Sequence, residues 1–296
     1  MGSSLVSVVI PTFNREKEVI DTINSVIQQT YTNLEIIIVD DASTDNTVAL
    51  VKELIDDRIK IHVLDENSKG TKPRNTGINM ASGKYIALLD SDDEWIPKKI
   101  EKQIELAQSI HEDDFLIFND VYIRKDGKDS HFINKIFKKE TNIMNYILQD
   151  LNVVQTSSYF FPAQLGKKVL FNSKLRKHQD WDFVKRLRDK GAVFYHLPEP
   201  LTIYNQDVDA SKITSSHNSE ISANWLSSIR DDISKEAYSV FRFYALVNPY
   251  VLERRRYKAL KICINAFKYK KIPRISIVRN LIKCFLPSFI LKKIIV

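Results

Sequence analysis

Three aspartates directly follow a short apolar run in the stretch Tyr85-Ile-Ala-Leu-Leu-Asp-Ser-Asp-Asp-Glu-Trp95. The run is typical of a buried strand, so Asp90, Asp92 and Asp93 fall where that strand ends. Two carboxylates about 4 Å apart repel each other by about 4 kcal/mol at an effective dielectric constant near 20. The stretch therefore predicts a site at which a bound group offsets the repulsion between these side chains.

Strand and helix patterns alternate along the chain before this stretch. Val6-Ser-Val-Val-Ile10 and Leu34-Glu-Ile-Ile-Ile-Val39 are typical of strands buried on both faces, and Ile59-Lys-Ile-His-Val-Leu64 alternates like a further strand. Apolar residues at helical spacing predict helices in residues 16–29, 45–55 and 72–81. This alternation predicts an α/β fold with a mostly parallel sheet flanked by helices.

Polar side chains follow the ends of several of these strands. In open parallel sheets, ligands bind outside the carboxyl ends of the strands. Three of those ends read Pro11-Thr-Phe-Asn14, Asp40-Asp-Ala-Ser-Thr44 and Asp90-Ser-Asp-Asp93. The first has no glycine, which excludes the glycine-rich dinucleotide motif there, and no P-loop is present. A bound phosphate would then need a cation, and carboxylate oxygens favour Mg²⁺ or Mn²⁺.

Five ordered motifs resemble those of the family 2 glycosyltransferases. They are Val8-Val-Ile-Pro-Thr-Phe-Asn14, Ser25-Val-Ile-Gln-Gln-Thr-Tyr31, Glu35-Ile-Ile-Ile-Val-Asp-Asp-Ala-Ser-Thr-Asp45, Arg74-Asn-Thr-Gly77 and Gly83-Lys-Tyr-Ile-Ala-Leu-Leu-Asp-Ser-Asp-Asp93. The resemblance is dense over residues 5–110 and implies the GT-A fold, a Rossmann-like α/β architecture. It also implies transfer of a sugar from a nucleotide diphosphate donor to an acceptor hydroxyl, with inversion.

The resemblance implies a role for each of several residues in donor binding. Pro11 and Phe13 would line the pocket for the base, and Asp41 would accept a hydrogen bond from a pyrimidine, which favours a UDP or dTDP donor. Arg74 would lie near the base and the diphosphate. The remaining roles concern the aspartates: Asp90 would lie nearer the ribose, Asp92 would ligate the metal, and Asp93 would contact the donor sugar or a metal-bound water.

The catalytic base is expected further along the chain, where family members carry an acidic Glu-Asp pair at the start of a helix. The matching stretch is Arg176-Lys-His-Gln-Asp-Trp-Asp-Phe183, in which Gln179 replaces the usual Glu and Asp180 holds the base position. A helix N-terminus favours the ionised form of a carboxylate, which a base requires. Asp182 is the rival base, although two residues further along a helix it should point away from Asp180.

Two tryptophans and one tyrosine motif complete the predicted site. Trp95 and Trp181 are candidates for stacking on the acceptor sugar, with ordinary packing as the alternative. Relatives often carry Tyr-x-x-His after the helix of the base, whereas this chain has Tyr204-Asn-Gln-Asp207. Asp207 therefore stands where a histidine contact to the metal or diphosphate would be expected.

The character of the sequence changes along its second half. Residues 115–161 look less regular and include the charged stretch Arg124-Lys-Asp-Gly-Lys128, whereas residues from about 217 show long helical patterns without strands. We predict a catalytic domain at 1–216 and a helical C-terminal region at 217–296.

The C-terminal region is strongly basic. Residues 251–296 contain 13 Lys or Arg and one acid, Glu253, so the other 250 residues carry a net charge of −5 within the total of +7. The pattern repeats apolar residues at helical spacing between the cations: Tyr257, Leu260, Ile264 and Phe267, then Val278, Leu281, Ile282, Phe285, Leu286 and Phe289. Cationic amphipathic helices of this kind bind anionic membrane surfaces. The alternatives are that they pack on the catalytic domain or join copies of the chain in a homo-oligomer.

Together these patterns predict a metal-dependent inverting glycosyltransferase of surface-polysaccharide synthesis. Its acceptor would be a glycan carried on a lipid such as a polyprenyl diphosphate, and nucleic acid is not expected as a partner. The chain has two cysteines, no signal peptide pattern and no apolar run of membrane-spanning length. We therefore expect a cytoplasmic protein held peripherally on the inner face of the cell membrane. Alternatives are a non-catalytic module that binds sugar nucleotides or glycans, and a sugar nucleotidyltransferase, although the glycine-rich basic loop of the latter is missing.

Overall fold

The computed structural model describes residues 3–68, 70–206, 219–287 and 291. The chain divides into two compact units: Met1–Glu140 with Val153–Asp209, and Thr141–Asn152 with Ala210–Val296. Residues 141–152 therefore belong to the second unit, whereas the sequence analysis places them in the catalytic domain at 1–216. The predicted boundary at residue 216 lies outside the described residues.

The first unit is built on one mixed sheet whose strands run in the order β3-β2-β1-β4-β8-β6-β9-β5, with β7 paired to β6. Strands β1, β2, β3 and β4 are mutually parallel, as the sequence predicts, and β8 joins them antiparallel. The strands are β1 Val6–Thr12, β2 Leu34–Asp40, β3 Ile59–Val63, β4 Tyr85–Leu88, β5 Glu94–Trp95, β6 Phe115–Lys125, β7 Lys128–Phe132, β8 Phe160–Pro162 and β9 Val193–Asn205.

The predicted helices of the first unit are confirmed, each slightly shorter than the sequence pattern indicates. A 3₁₀ turn covers Thr156–Ser158. The helices of this unit are α1 Val19–Ile27, α2 Thr47–Lys52, α3 Lys72–Met80, α4 Lys99–Gln108, α6 Ala163–Val169 and α7 Gln179–Asp189.

The prediction of irregular structure at residues 115–161 is wrong in its first part. Strand β6 continues to Lys125 and turns back directly into β7, with Lys125 opposite Lys128. Asp126 and Gly127 both have positive φ angles, of 52° and 67°. Positive φ at both central residues, with the sequence Asp-Gly, is typical of a two-residue type I′ hairpin. The charged stretch around Arg124 is therefore a hairpin turn.

The core of the first unit explains why β1, β2 and β4 end at one edge. Their apolar side chains, including Val8, Ile10, Ile36 and Ala87, are fully buried in a single cluster. The packing is close enough that a Cβ on Gly77 of α3 would lie 2.3 Å from Cγ1 of Val9. Because the three strands are parallel and in register, the loops that follow them emerge side by side.

A buried carboxylate ties β1 and β2 to the turn before β4. Glu35 accepts hydrogen bonds from the Ser7 hydroxyl at 2.5 Å and from the Ser82 amide at 2.7 Å, and Lys60 Nζ lies 2.7 Å from it. Burial by itself would raise the pKa of Glu35, but the hydrogen bonds from Lys60, Ser7 and Ser82 outweigh it and lower the pKa to about 2.

The second unit is helical over its described residues. It has its own apolar core, in which Val240, Ile262, Cys263 and Ile277 are buried. Among the described residues, no helix is both long and apolar enough to cross a bilayer. A 3₁₀ turn covers Arg230–Asp232. The helices are α5 Ile143–Leu148, α8 Ser219–Ser228, α9 Lys235–Leu252, α10 Arg256–Ala266 and α11 Arg274–Lys283.

We predict that the Glu35 network makes a contribution to stability that acid removes. The folded-state pKa of Glu35, about 2, lies below its ordinary value of 4.5. The contribution is therefore fully present above pH 4.5 and is lost as the pH falls towards 2. At pH 7, Glu35→Gln should lower the free energy of unfolding by about 1–3 kcal/mol, measured by urea denaturation. The difference between the two proteins should shrink between pH 5 and pH 3.

The control for this prediction is Glu53→Gln, since Glu53 is an exposed residue just after α2. It should change stability by less than about 0.5 kcal/mol at either pH. A Glu35→Gln effect of the same size at pH 5 and pH 3 would contradict the role of the ionised carboxylate.

Candidate active site

The site is framed by the ends of β1, β2 and β4. The Asp41 amide donates to the Thr12 carbonyl at 2.8 Å, and the Leu89 amide donates to the Val9 carbonyl at 3.1 Å. These backbone bonds continue the pairing of β1 with its two neighbours up to the loops. The predicted residues Phe13, Asp41 and Asp90 thus follow adjacent strands at one edge of the sheet.

One side of this edge carries the residues predicted to bind the base. Phe13 is 40% exposed, so its ring is not part of the apolar core. Asp41 is buried, and its carboxylate accepts hydrogen bonds from the Ser68 amide at 2.9 Å and the Ser68 hydroxyl at 3.1 Å. Pro11 is partly buried within β1, opposite Val39. An exposed ring therefore lies next to a strand end that holds a fixed carboxylate.

Two aspartates of the loop after β4 are paired with arginines. Arg74 Nη2 on α3 lies 2.5 Å from Asp90 Oδ1, and Arg15 Nη2 lies 3.5 Å from Asp92 Oδ2. The Arg74 guanidinium lies 4.9 Å from the centre of the Phe171 ring, and its buried Nε has no hydrogen-bond partner in the described part of the chain. These ion pairs partly neutralise the loop and place two cations beside its carboxylates.

The third aspartate of the loop has a different environment. Asp93 is 1% exposed, and its two carboxylate oxygens accept hydrogen bonds from the Ser157 hydroxyl at 2.6 Å and the Asn205 amide at 2.9 Å. Burial, and then the charges of Asp92 and Asp90, raise the pKa of Asp93 well above its ordinary value. Asp93 therefore fixes the loop to the 3₁₀ turn and to the end of β9.

Asp180 lies in the first turn of α7, as the sequence predicts, and is partly exposed. The preceding residue but one, His178, has a positive φ of 61° at the helix start. Burial raises the pKa of Asp180 to about 6; the nearby charge of Asp90 adds to this effect, while a hydrogen bond from the Trp181 backbone opposes it. A carboxylate with this pKa can gain or lose a proton near neutral pH.

A tyrosine on β9 shows that the aspartates from both parts of the chain lie close together. The pKa of Tyr204 is raised to about 12, first by burial and then by the charges of Asp93, Asp180, Asp92 and Asp90. All four carboxylates act on this hydroxyl through their charges, and such effects weaken with distance. The structure thus brings Asp180 to the same edge of the sheet as the loop after β4.

Burial distinguishes the candidates in two of the alternatives that the sequence leaves open. Asp182, the rival base, is 9% exposed and faces the interior of the unit, whereas Asp180 reaches the surface. The prediction that Trp95 stacks on an acceptor is wrong. Trp95 is 3% exposed, its indole donates to the Ser157 carbonyl at 2.8 Å, and Lys99 Nζ covers its ring at 3.9 Å.

Trp181 remains a candidate for contact with an acceptor. It is partly exposed and stacks on the His178 ring, with 5.2 Å between ring centres and 12° between ring planes. Asp207, where relatives often have a histidine, lies outside the described residues.

The donor set at this edge fits a hard divalent cation completed by a substrate. Among the described residues, no group of three or more His, Cys, Asp or Glu side chains could hold a metal by itself. Mg²⁺ in particular is usually held by one or two carboxylates together with substrate phosphates. Asp92 and Asp90 present carboxylate oxygens of this kind.

Several residues of the site were missed from the sequence. Arg15 pairs with Asp92, Ser68 holds Asp41, and Ser157 and Asn205 hold Asp93. Arg15 could have been found, because it directly follows the end of β1. Nothing local marks Ser157 or Asn205, because their importance depends on segments distant in sequence.

Comparison with known proteins agrees with this architecture. The family model "Glycosyl transferase family 2" matches residues 7–167. AmsB, an amylovoran biosynthesis glycosyltransferase of Erwinia amylovora, is 27% identical over 265 residues, which are 86% of this chain and 87% of that protein. WfgD of Escherichia coli, named UDP-Glc:alpha-D-GlcNAc-diphosphoundecaprenol beta-1,3-glucosyltransferase, is 46% identical over 103 residues. That match spans 34% of this chain and 42% of WfgD, less than half of its length.

A solved structure shows the same fold over most of the chain. The crystal structure of S. aureus TarS residues 1–349 with UDP-GlcNAc superimposes with a TM-score of 0.67 at 19% sequence identity. The likeness covers 93% of this chain and 89% of TarS 1–349. The chain therefore belongs to glycosyl transferase family 2, a family of glycosyltransferase enzymes, and has the GT-A fold.

Proposed function

We propose that the protein transfers a sugar from a UDP-sugar to a hydroxyl of a lipid-linked glycan, with inversion, during synthesis of a surface polysaccharide. The observation that carries this proposal is the meeting of Asp90, Asp92 and Asp180 at one sheet edge with two arginines. The names of AmsB and WfgD support the polysaccharide and lipid-linked assignments, and the name of WfgD and the UDP-GlcNAc bound to TarS support a UDP donor.

The donor would lie across the ends of β1, β2 and β4. The exposed ring of Phe13 offers a face for the base beside Pro11, and Asp41, held by Ser68, offers an acceptor for the pyrimidine N–H. Arg15 and Arg74 would exchange part of their contact with Asp92 and Asp90 for the donor diphosphate, since guanidinium groups bind phosphates well. The buried Nε of Arg74 is a donor available for such a contact.

Asp180 would act as the base in the transfer step. The acceptor oxygen attacks the anomeric carbon of the donor sugar, the bond from that carbon to the diphosphate oxygen breaks, and the acceptor proton passes to the Asp180 carboxylate. A Mn²⁺ or Mg²⁺ ion held by Asp92, with Asp90 beside it, would supply positive charge against the charge of the departing diphosphate. Asp93 would hold the loop in place, because both of its carboxylate oxygens already accept hydrogen bonds from the protein.

The exposed surface of the helical unit supports a membrane-associated acceptor. On α11 and the turn after it, Ile275, Val278, Ile282 and Phe285 are exposed, with Phe285 at 71%. Ile277 and Cys284 are instead buried, and Leu281 and Leu286 pack against the core of the unit. Only some of the apolar residues of this segment therefore take part in packing. Phe289, Lys292 and Lys293 lie outside the described residues.

Charge complementarity supports an anionic bilayer as the partner of this apolar face. Arg274, Arg279 and Lys283 accompany it on the same helix, and a single acid occurs in residues 251–296. Apolar side chains among cations suit insertion at the boundary between lipid headgroups and acyl chains. Helix α10 has the same combination of groups, since its apolar residues Tyr257 and Ile264 are exposed and Lys261 lies over the Tyr257 ring. In a homo-oligomer joined through this face, the cations of the two copies would lie close together and repel each other.

We predict that Asp180→Asn abolishes transfer but not donor binding. Sugar transfer from a UDP-sugar to a lipid-linked acceptor should fall by about 10²–10⁴-fold, because the acceptor proton loses its base. The transfer rate of the unaltered protein should rise with pH through about 6, the pKa of Asp180. A raised pKa also means that the ionised carboxylate destabilises the folded state at neutral pH, so the variant should melt at a higher temperature at pH 7.

The control for Asp180→Asn is Asp189→Asn, at the exposed C-terminal end of the same helix. It should leave transfer unchanged within about twofold, since Asp189 forms surface ion pairs with Lys185 and Arg188. Full transfer by Asp180→Asn would refute Asp180 as the base. Calorimetric binding of UDP-sugars without transfer by any form of the protein, over a panel of donors and acceptors, would favour a binding module.

We predict that Asp92→Asn raises the Mn²⁺ concentration needed for half-maximal transfer by at least about tenfold. Removal of one charged oxygen ligand weakens the hold on the ion without removing the base. Transfer should stop when EDTA is added and recover when excess Mn²⁺ is restored. Asp57→Asn removes an exposed aspartate of the same unit and should leave the Mn²⁺ dependence unchanged. An unaltered Mn²⁺ dependence in Asp92→Asn would contradict its role as a ligand.

We predict that the double variant Ile282→Ser, Phe285→Ser binds vesicles containing phosphatidylglycerol at least about tenfold more weakly, measured by flotation. The matched control is Ile133→Ser, Ile136→Ser, which removes two exposed apolar side chains from the first unit. Equal binding by the two double variants would contradict the assignment of the α11 face to membrane. A concentration-dependent dimer that only the first pair abolishes would favour the homo-oligomer.

A further inference from the structure

A polar cavity lies in the helical unit. It has a volume of about 470 Å³. Its wall is formed by residues just before and in the first half of α9, together with Asn265 of α10 and Tyr269. One water occupies about 30 Å³ in the liquid, so the cavity has room for a polyatomic ligand. Its walls are rich in charged and polar groups, which distinguishes it from a packing defect in an apolar core.

Positive charge dominates the walls of this cavity. Arg230 and Arg242 both face the Tyr238 ring, with their guanidinium carbons 5.0 Å and 5.4 Å from its centre. Lys235, an exposed residue in the first turn of α9, adds a third cation, and Asp231 is the one acid among the lining residues. Within the described ranges, none of the three cations forms an ion pair with a carboxylate. The lining residues, three cations and one acid, therefore carry a net charge of +2.

A serine hydroxyl in the wall adds a neutral donor. Ser239 lines the cavity and is 7% exposed. A hydroxyl can donate a hydrogen bond to an oxygen of a ligand in the cavity.

The start of α9 adds to the positive potential. The helix has 18 residues, and the Ser234 side chain caps it by accepting a hydrogen bond from the Ala237 amide at 2.9 Å. The aligned peptide dipoles of a helix place partial positive charge at its N-terminus, where anions are stabilised. This effect acts in the same direction as the three cations that line the cavity.

We propose that this cavity binds a phosphate group. The two guanidinium groups suit the several oxygens of a phosphate, to which arginine can donate two parallel hydrogen bonds. Lys235 and the Ser239 hydroxyl provide further donors. The phosphate belongs either to a small soluble molecule or to the headgroup of a lipid, and both present the same anionic oxygens to the cavity.

The test compares two double variants of the full chain that lose the same charge. Arg230→Gln, Arg242→Gln removes the two guanidiniums of the cavity, and Lys268→Gln, Lys270→Gln removes two exposed cations of the same unit that do not line it. Calorimetry measures the affinity for inorganic phosphate and for pyrophosphate. Flotation measures binding to phosphatidylcholine vesicles with and without phosphatidic acid. Ser239→Ala provides a variant of the cavity that leaves its charge unchanged.

The arginine variant should bind phosphate at least about tenfold more weakly than the lysine variant, and Ser239→Ala should weaken binding several-fold. The loss appears with soluble phosphate if the ligand is a small molecule, or only with phosphatidic acid vesicles if it is a headgroup. Either result supports the proposal. Equal affinities of the two double variants in both assays, with both folded by circular dichroism, would overturn it. Phosphate bound only at the sheet edge gives this equal result, because neither variant alters that site.

Discussion

Repulsion between carboxylates at one edge of the sheet is the constraint around which the first unit is arranged. The charges of Asp90, Asp92, Asp93 and Asp180 all act on the Tyr204 hydroxyl. All four groups are negative when ionised, so they repel one another. The structure limits the repulsion in two ways. Arg74 and Arg15 pair with Asp90 and Asp92, and burial raises the pKa values of Asp93 and Asp180 so that a proton is held more readily.

These two ways of limiting the repulsion leave different groups available to a ligand. The arginine pairs lie at the surface of the edge, where a diphosphate could compete for the guanidiniums and a cation for the carboxylates. Asp93 is enclosed and tied to Ser157 and Asn205, so it sets the position of the loop. Asp180 is partly exposed and has a pKa of about 6, which suits a group that must be ionised before reaction and protonated after it. Under the proposed function, this one cluster of acids supplies binding, positioning and proton-accepting groups.

The helical unit has the opposite charge and a different kind of surface. Its cations lie beside exposed apolar side chains on α10 and α11 and around the cavity at the start of α9. Arg274, for example, covers the exposed ring of Phe267 at 5.3 Å, so a cation and an apolar group share one patch. Surfaces of this composition favour partners that combine phosphate with hydrocarbon. An acceptor carried on a lipid diphosphate has both, which makes the chemistry of this unit consistent with that proposed for the first.

The sequence by itself determined the alternation of strands and helices, the position of the acids at strand ends and the start of α7, with Asp180 in its first turn. Each of these follows from a local pattern, because burial imposes a period of two or 3.6 residues on the chain and strand ends expose polar residues. Only the tertiary structure decided which acids are paired, enclosed or available. Asp93 meets Ser157 and Asn205 from 64 and 112 residues away, and Trp95 is buried under Lys99 by the same packing. Such contacts depend on how distant segments meet across the sheet, and no local pattern records that.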